Sequence, residues 1–227
     1  MAAESGHLKS SGGAEPSPPR PYKEKRRFTL VAALIFFTVF LTAFVPYTFE
    51  VFEKARKALP SGPARFRVLF DSKPGILEIS TPGSHYFLPE RGDPLKDPGI
   101  GGGGGLQALW RALDFFSRTS AETLEENAAN AGVDLSRRGL ARLDRAGDKV
   151  AVVIGARGEG EPGLSQLWFD RDFWRLRKVV MGDGSSAEVK GYSENGWPKT
   201  ISTPAGDLEI LGPPEKANSS GRGKSRP

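Results

Sequence analysis

From Phe28 to Phe49 the chain runs FTLVAALIFFTVFLTAFVPYTF without a charge or a side-chain amide. As a helix rising 1.5 Å per residue, these 22 residues would extend about 33 Å, enough for the hydrocarbon core of a bilayer. The pattern predicts a transmembrane helix or a signal sequence. The run exceeds the apolar stretch of a signal peptide, and Thr42-Ala43-Phe44-Val45-Pro46-Tyr47 offers no good small-x-small cleavage site, which favours an uncleaved anchor. Beyond it Val51, Phe52, Ala55, Ala58 and Leu59 recur at helical spacing until Pro60 and Pro63. That spacing predicts a short amphipathic helix over 50–60, either a juxtamembrane helix of its own or a frayed continuation of the span.

From Arg65 the period changes to two. Arg65–Phe70, Ile76–Ser80 and Ser84–Leu88 read as a β-meander whose turns fall at Lys73-Pro74-Gly75 and Thr81-Pro82-Gly83. Pro89 to Gly105 reads as a loop ending in five glycines. Leu106, Leu109, Trp110, Leu113 and Phe116 then fall on one face of a helix. Thr119-Ser120-Ala121-Glu122 fits a capping box that starts a second helix ending near Gly132. Strands return at Lys149–Ile154 and Gln166–Phe169, turn at Asp170-Arg171-Asp172, and continue through Phe173–Met181, Ala187–Tyr192, Trp197–Ser202 and Asp207–Leu211. The expected architecture is α+β: a disordered tail at 1–27, an anchor at 28–49, a helix at 50–60, an antiparallel β domain at 65–211 and a disordered tail at 212–227.

Composition removes several chemistries. With no cysteine there are no disulfides, no thiolate metal sites and no N-terminal lipidated Cys. The only histidines are His7 in the tail and His85 in a strand pattern, too few for a His-pair metal site or a Ser-His-Asp triad. Gly101–Gly105 lacks the Lys-Ser or Lys-Thr of a phosphate loop, and the glycines of 155–160 precede another strand rather than a helix. Asp170 and Asp172 read as solvated turn residues. No catalytic residue, metal site or cofactor is expected. The net charge of +5 lies largely in the tails without a dense basic block, so a nucleic-acid partner is not expected. Arg20, Lys23, Lys25, Arg26 and Arg27 crowd the N-terminal flank of the apolar run, which puts the N-terminus in the cytoplasm and the β domain across the membrane.

The order over 149–202 is a Val/Ile strand, Gln166-Leu167-Trp168-Phe169-Asp170-Arg171-Asp172, a strand bearing Arg175 and Arg177, the Gly182-Asp183-Gly184 turn, and Gly191-Tyr192 before Gly196-Trp197-Pro198. It resembles the LolA/LolB-like periplasmic domains of the outer-membrane lipoprotein-sorting family. The resemblance implies a curved antiparallel sheet, an unclosed β-barrel, with helices on its concave face and a hydrophobic cavity between them that carries acyl chains. It also implies a bacterial envelope, hence an inner-membrane anchor and a periplasmic domain. This chain departs from the family in being tethered and in lacking the Cys of the lipidated receptor form, so the shuttle mechanism does not transfer.

Alternation alone selects the residues that would line such a cavity: Phe66, Val68 and Phe70 on the first strand, Leu109, Trp110, Leu113 and Phe116 on the helix, and Val152, Trp174 and Leu176 on later strands, with Val150, Ile154 and Val180 sharing their parity. Trp110, Trp168, Trp174 and Trp197 must either join an ordinary core or line the cavity. Two non-enzymatic functions remain open: a tethered binding module for the acyl chain of a lipid or lipoprotein, and an envelope scaffold with a solid core whose partners are other envelope proteins.

Overall fold

The computed structural model describes residues 29–36, 45–60, 63–80, 84–97, 106–117, 120–143, 149–158 and 161–215. The tail at 1–27, positions 37–44 of the apolar run, Gly101–Gly105 and residues 216–227 therefore lie outside the described residues. Residues 29–36 are helical with their apolar side chains exposed. No helix among the described residues is long and apolar enough to cross a membrane. The chain divides into two units, 1–44 and 45–227, and the second carries the whole sheet.

That unit is α+β. Its helices are α1 (Thr48–Ala58), α2 (Gln107–Asp114) and α3 (Ala121–Asn130). Its strands are β1 (Ala64–Phe70), β2 (Lys73–Ile79), β3 (Tyr86–Pro89), β4 (Leu95–Lys96), β5 (Arg138–Arg142), β6 (Val150–Ile154), β7 (Gln166–Asp170), β8 (Leu176–Val180), β9 (Ser186–Tyr192), β10 (Pro198–Thr203) and β11 (Gly206–Ile210). They form one sheet in the order β4-β3-β2-β1-β11-β10-β9-β8-β7-β6-β5. Each neighbouring pair is antiparallel, and the sheet does not close. The chain thus lays down two meanders, joined where the last strand, β11, pairs with the first, β1.

One face of this sheet and the three helices share a single apolar core. Helix α1, which overlaps the segment 50–60, belongs to that core. Residues 45–47 are not helical, the helix starts at Thr48, and Val51, Phe52 and Ala55 are fully buried. The Phe52 ring stacks on Phe115 at 6.2 Å and meets Phe169 edge-on at 6.0 Å. Its outward face carries the ion pairs Lys54–Glu50 and Lys57–Glu53, each four residues apart.

Other boundaries moved for identifiable reasons. The first hairpin turns at Asp71-Ser72, both at positive φ, so Lys73-Pro74-Gly75 lies inside β2 rather than forming the turn. Gly75 is needed there because a Cβ would sit 2.5 Å from the Phe87 ring. Helix α3 is capped by Ser120, which accepts from the Thr123 N–H at 3.3 Å, one residue beyond the expected Thr119. Strand β5, with the sequence RGLAR, was not anticipated. The C-terminal boundary falls later than 211: the Glu215 N–H donates to the Arg65 carbonyl at 2.7 Å, and its carboxylate pairs with Arg67 at 3.0 Å.

Phe52→Ala is expected to cost about 3–5 kcal/mol, the usual range for deleting a buried ring. Thermal unfolding should register it as a fall of about 2–4 °C in Tm for each kcal/mol. An unchanged Tm would show that α1 is not part of the cooperative core.

Candidate functional site

The cavity candidates meet on the helix-bearing face. Phe66, Val68, Phe70, Leu109, Trp110, Leu113, Phe116, Val152 and Leu176 are all buried in the main core. Trp174 is the exception. Strand β8 begins only at Leu176, and Trp174 precedes it in a turn at φ 56°, half-buried, with Lys54 Nζ 4.4 Å from its ring centroid. The parity assumed for β8 also fails along the strand. Phe169 pairs with Leu176 but Trp168 pairs with Lys178, so a bulge inserts one residue and sends Val179 rather than Val180 inward. Val150 likewise stays outside the main core, whereas Ile154 is within it. The four tryptophans do not gather: Trp110 and Trp197 join this core, Trp168 lies in a small cluster with Ala141, Ala151, Val153 and Ala156, and Trp174 stands at the rim.

The meeting residues fill the space between them. Phe66 and Trp197 are in edge contact at 4.8 Å, and Phe116 lies 6.4 Å from Trp197. Two voids lined by described residues of this interior are each about 10 Å³, one beside α2 and α3 and one beneath Phe87 and Trp110. Such a void holds about one water molecule.

Inside the same interior is a polar network that the hydrophobic pattern did not reveal. His85, just before β3, is 1% exposed, and its Nδ1 accepts the Ser80 backbone N–H at 3.1 Å. A nitrogen that accepts carries no proton, so Nε2–H is the donor to Asp114 Oδ1 at 2.9 Å. Arg111 donates from Nη1 to Asp114 Oδ2 at 2.6 Å and from Nη2 to Asp97 Oδ1 at 2.8 Å. Asp97 in turn donates its backbone N–H to the His85 carbonyl at 2.9 Å. The network ties the C-terminal half of α2 to the β3–β4 end of the sheet. Charged residues such as Arg111 and Asp114 ordinarily form the wet side of an amphipathic helix. Their spacing of three residues with opposite charge was the available signal, and nothing local disclosed that both are buried.

His85, Asp97 and Asp114 place possible ligand atoms within 4.8 Å of one another. The cation among them is Arg111, whose planar fork already engages both carboxylates. Asp170 is not the solvated residue expected from its turn. It is 6% exposed, Oδ1 accepts from the N–H groups of Asp172 and Phe173, and Oδ2 lies 3.4 Å from Arg177. Tyr192 donates to the Leu176 carbonyl, and burial pushes its phenol well above the ordinary tyrosine range despite the nearby Arg177 and Arg175. Tyr86 donates to Glu78, and that hydrogen bond raises its phenol too. Both phenols therefore serve as fixed donors.

No protein-family model matches the chain, and no curated protein matches it.

Removing one member of a buried ion network leaves its partners charged and unpaired, typically at about 3–5 kcal/mol. Arg111→Met should lower stability in urea unfolding by about that amount, and adding Asp97→Asn and Asp114→Asn should restore part of it. If Arg111→Met alone is neutral, the network does not hold α2 to the sheet.

Proposed function

We propose that this chain is a non-catalytic binding module of a bacterial envelope, tethered by its 28–49 segment to the inner membrane, whose periplasmic domain takes the acyl chain of a lipid or lipoprotein between its sheet and its helices. The observation that carries this reading is the apolar face itself. An open antiparallel sheet directs Phe66, Val68, Val152 and Leu176 toward the same space, and short helices are its cover. An acyl chain entering that space would gain about 0.8 kcal/mol for each buried CH₂, with no catalytic group required. The unclosed sheet with helices on one face is also the coarse architecture that the LolA/LolB-like resemblance implies.

With voids of about 10 Å³ against the roughly 300–1,000 Å³ of ordinary ligand sites, entry requires α2 or α3 to move off the sheet. The same small voids favour the second reading, an envelope scaffold whose core stays solid and whose partners are other envelope proteins. A hydrolase finds no support in His85, since both of its ring nitrogens are already engaged.

The two readings separate by photo-crosslinking the full chain in membranes with a photoactivatable fatty acid and mapping the adducts by mass spectrometry. The acyl-binding reading expects adducts on interior positions such as Leu113 and Val152. Adducts confined to 28–49 would leave the scaffold. Recovery of a soluble chain shortened at its N-terminus would remove the tether.

A further inference from the structure

The face of the sheet opposite the helices has its own organisation. Trp168 on β7 lies there in a small cluster with Ala141, Ala151, Val153 and Ala156. Trp168 also lines a groove of about 330 Å³ that reaches from β5 to β9. Five cations line it: Arg142, Lys149, Arg177, Lys178 and Lys190. Among the described residues, Glu188 is the only acidic residue in its lining.

Local partners absorb part of this charge. Asp170 lies 3.4 Å from Arg177, Glu188 stands opposite Lys178 in the strand register, and Lys178 Nζ sits 5.2 Å from the Trp168 ring centroid. Among the described residues, no carboxylate lies within ion-pair distance of Arg142, Lys149 or Lys190. Cations gathered this way repel one another, and an anion between them turns that repulsion into attraction.

We propose that this groove is a binding site for a small phosphate-bearing anion, distinct from whatever occupies the helix-bearing face. Its volume is at the lower end for ligand sites, which suits one solute or one headgroup rather than a length of nucleic acid. A guanidinium fork beside several ammonium groups matches an anion with several charged oxygens better than a single carboxylate. Two sources share that chemistry, a free phosphorylated solute and the phosphodiester headgroup of an anionic lipid.

The test is calorimetric titration of the full chain in a neutral detergent with inorganic phosphate and, separately, with glycerophosphoglycerol, the deacylated headgroup of an anionic lipid. Saturable binding of phosphate identifies the free solute as the source, and binding of the diester alone identifies the headgroup. Lys149→Glu with Lys190→Glu, both at exposed positions, should weaken binding about tenfold or more, and Arg142→Gln should act in the same direction. Lys73→Glu with Lys96→Glu makes the same change in net charge at exposed positions outside the groove and should leave binding within about twofold. Absence of saturable binding by the wild-type chain to either probe would overturn the proposal. So would an equal loss in both charge-reversed pairs, because net charge rather than the groove would then account for the binding.

Discussion

An open sheet with one apolar face has to cover that face, and every other feature of the domain follows from how little cover is available. Two meanders joined through β1 and β11 make a surface eleven strands wide. Three helices of 11, 8 and 10 residues lie on it. Helices this short are marginal in isolation, so packing and capping hold them in place rather than intrinsic propensity. Helix α1 is fixed by Phe52 among Phe115 and Phe169. Helix α2 is fixed by apolar contact and by Arg111 and Asp114, which reach Asp97 and His85 beside the edge strands. A charge network inside an apolar interior is a position-specific tie: its ion pairs form in one placement of the helix, and separating them is costly in any other.

The parts legible in the sequence were those governed by periodicity alone. Alternation identified the inward residues of β1, and helical spacing identified Leu109, Trp110 and Leu113 of α2, with Phe116 just beyond it, as core residues. What escaped depended on events that periodicity cannot register. The bulge between β7 and β8 adds one residue and exchanges Val180 for Val179 on the inner face. Strand β5 carries two arginines, a glycine, a leucine and an alanine, so it lacks the β-branched composition that marks a strand, and its pairing with β6 supplies what local preference does not. The end of the uncharged run concealed where a new helix begins, because Thr48 and Phe49 are apolar enough to belong to either neighbour. The buried ion network was invisible because a charged residue on a helix is ordinarily its wet face. Only the tertiary arrangement brings Asp97 and His85 to meet it.

The two faces of the sheet are chemically opposed. One is apolar and lies under helices, while the other holds a shallow groove lined by five cations around a single tryptophan. An amphiphile presents the same opposition, an apolar chain and a charged head. The groove is already open in this structure, whereas the two voids lined by described residues of the apolar side each hold about one water molecule. The proposed acyl binding on the apolar side therefore requires that the helices leave the sheet more readily than the strands leave one another.

Native-state hydrogen exchange of the full chain measures that difference directly, because it reports opening free energies segment by segment. If the helices are a yielding cover, the amides of Gln107–Asp114 and Ala121–Asn130 will exchange through a local opening well below the free energy that protects Val150–Ile154 and Gln166–Asp170. Helices and strands exchanging together, in one global unfolding event, would contradict the account and describe a domain whose core never opens.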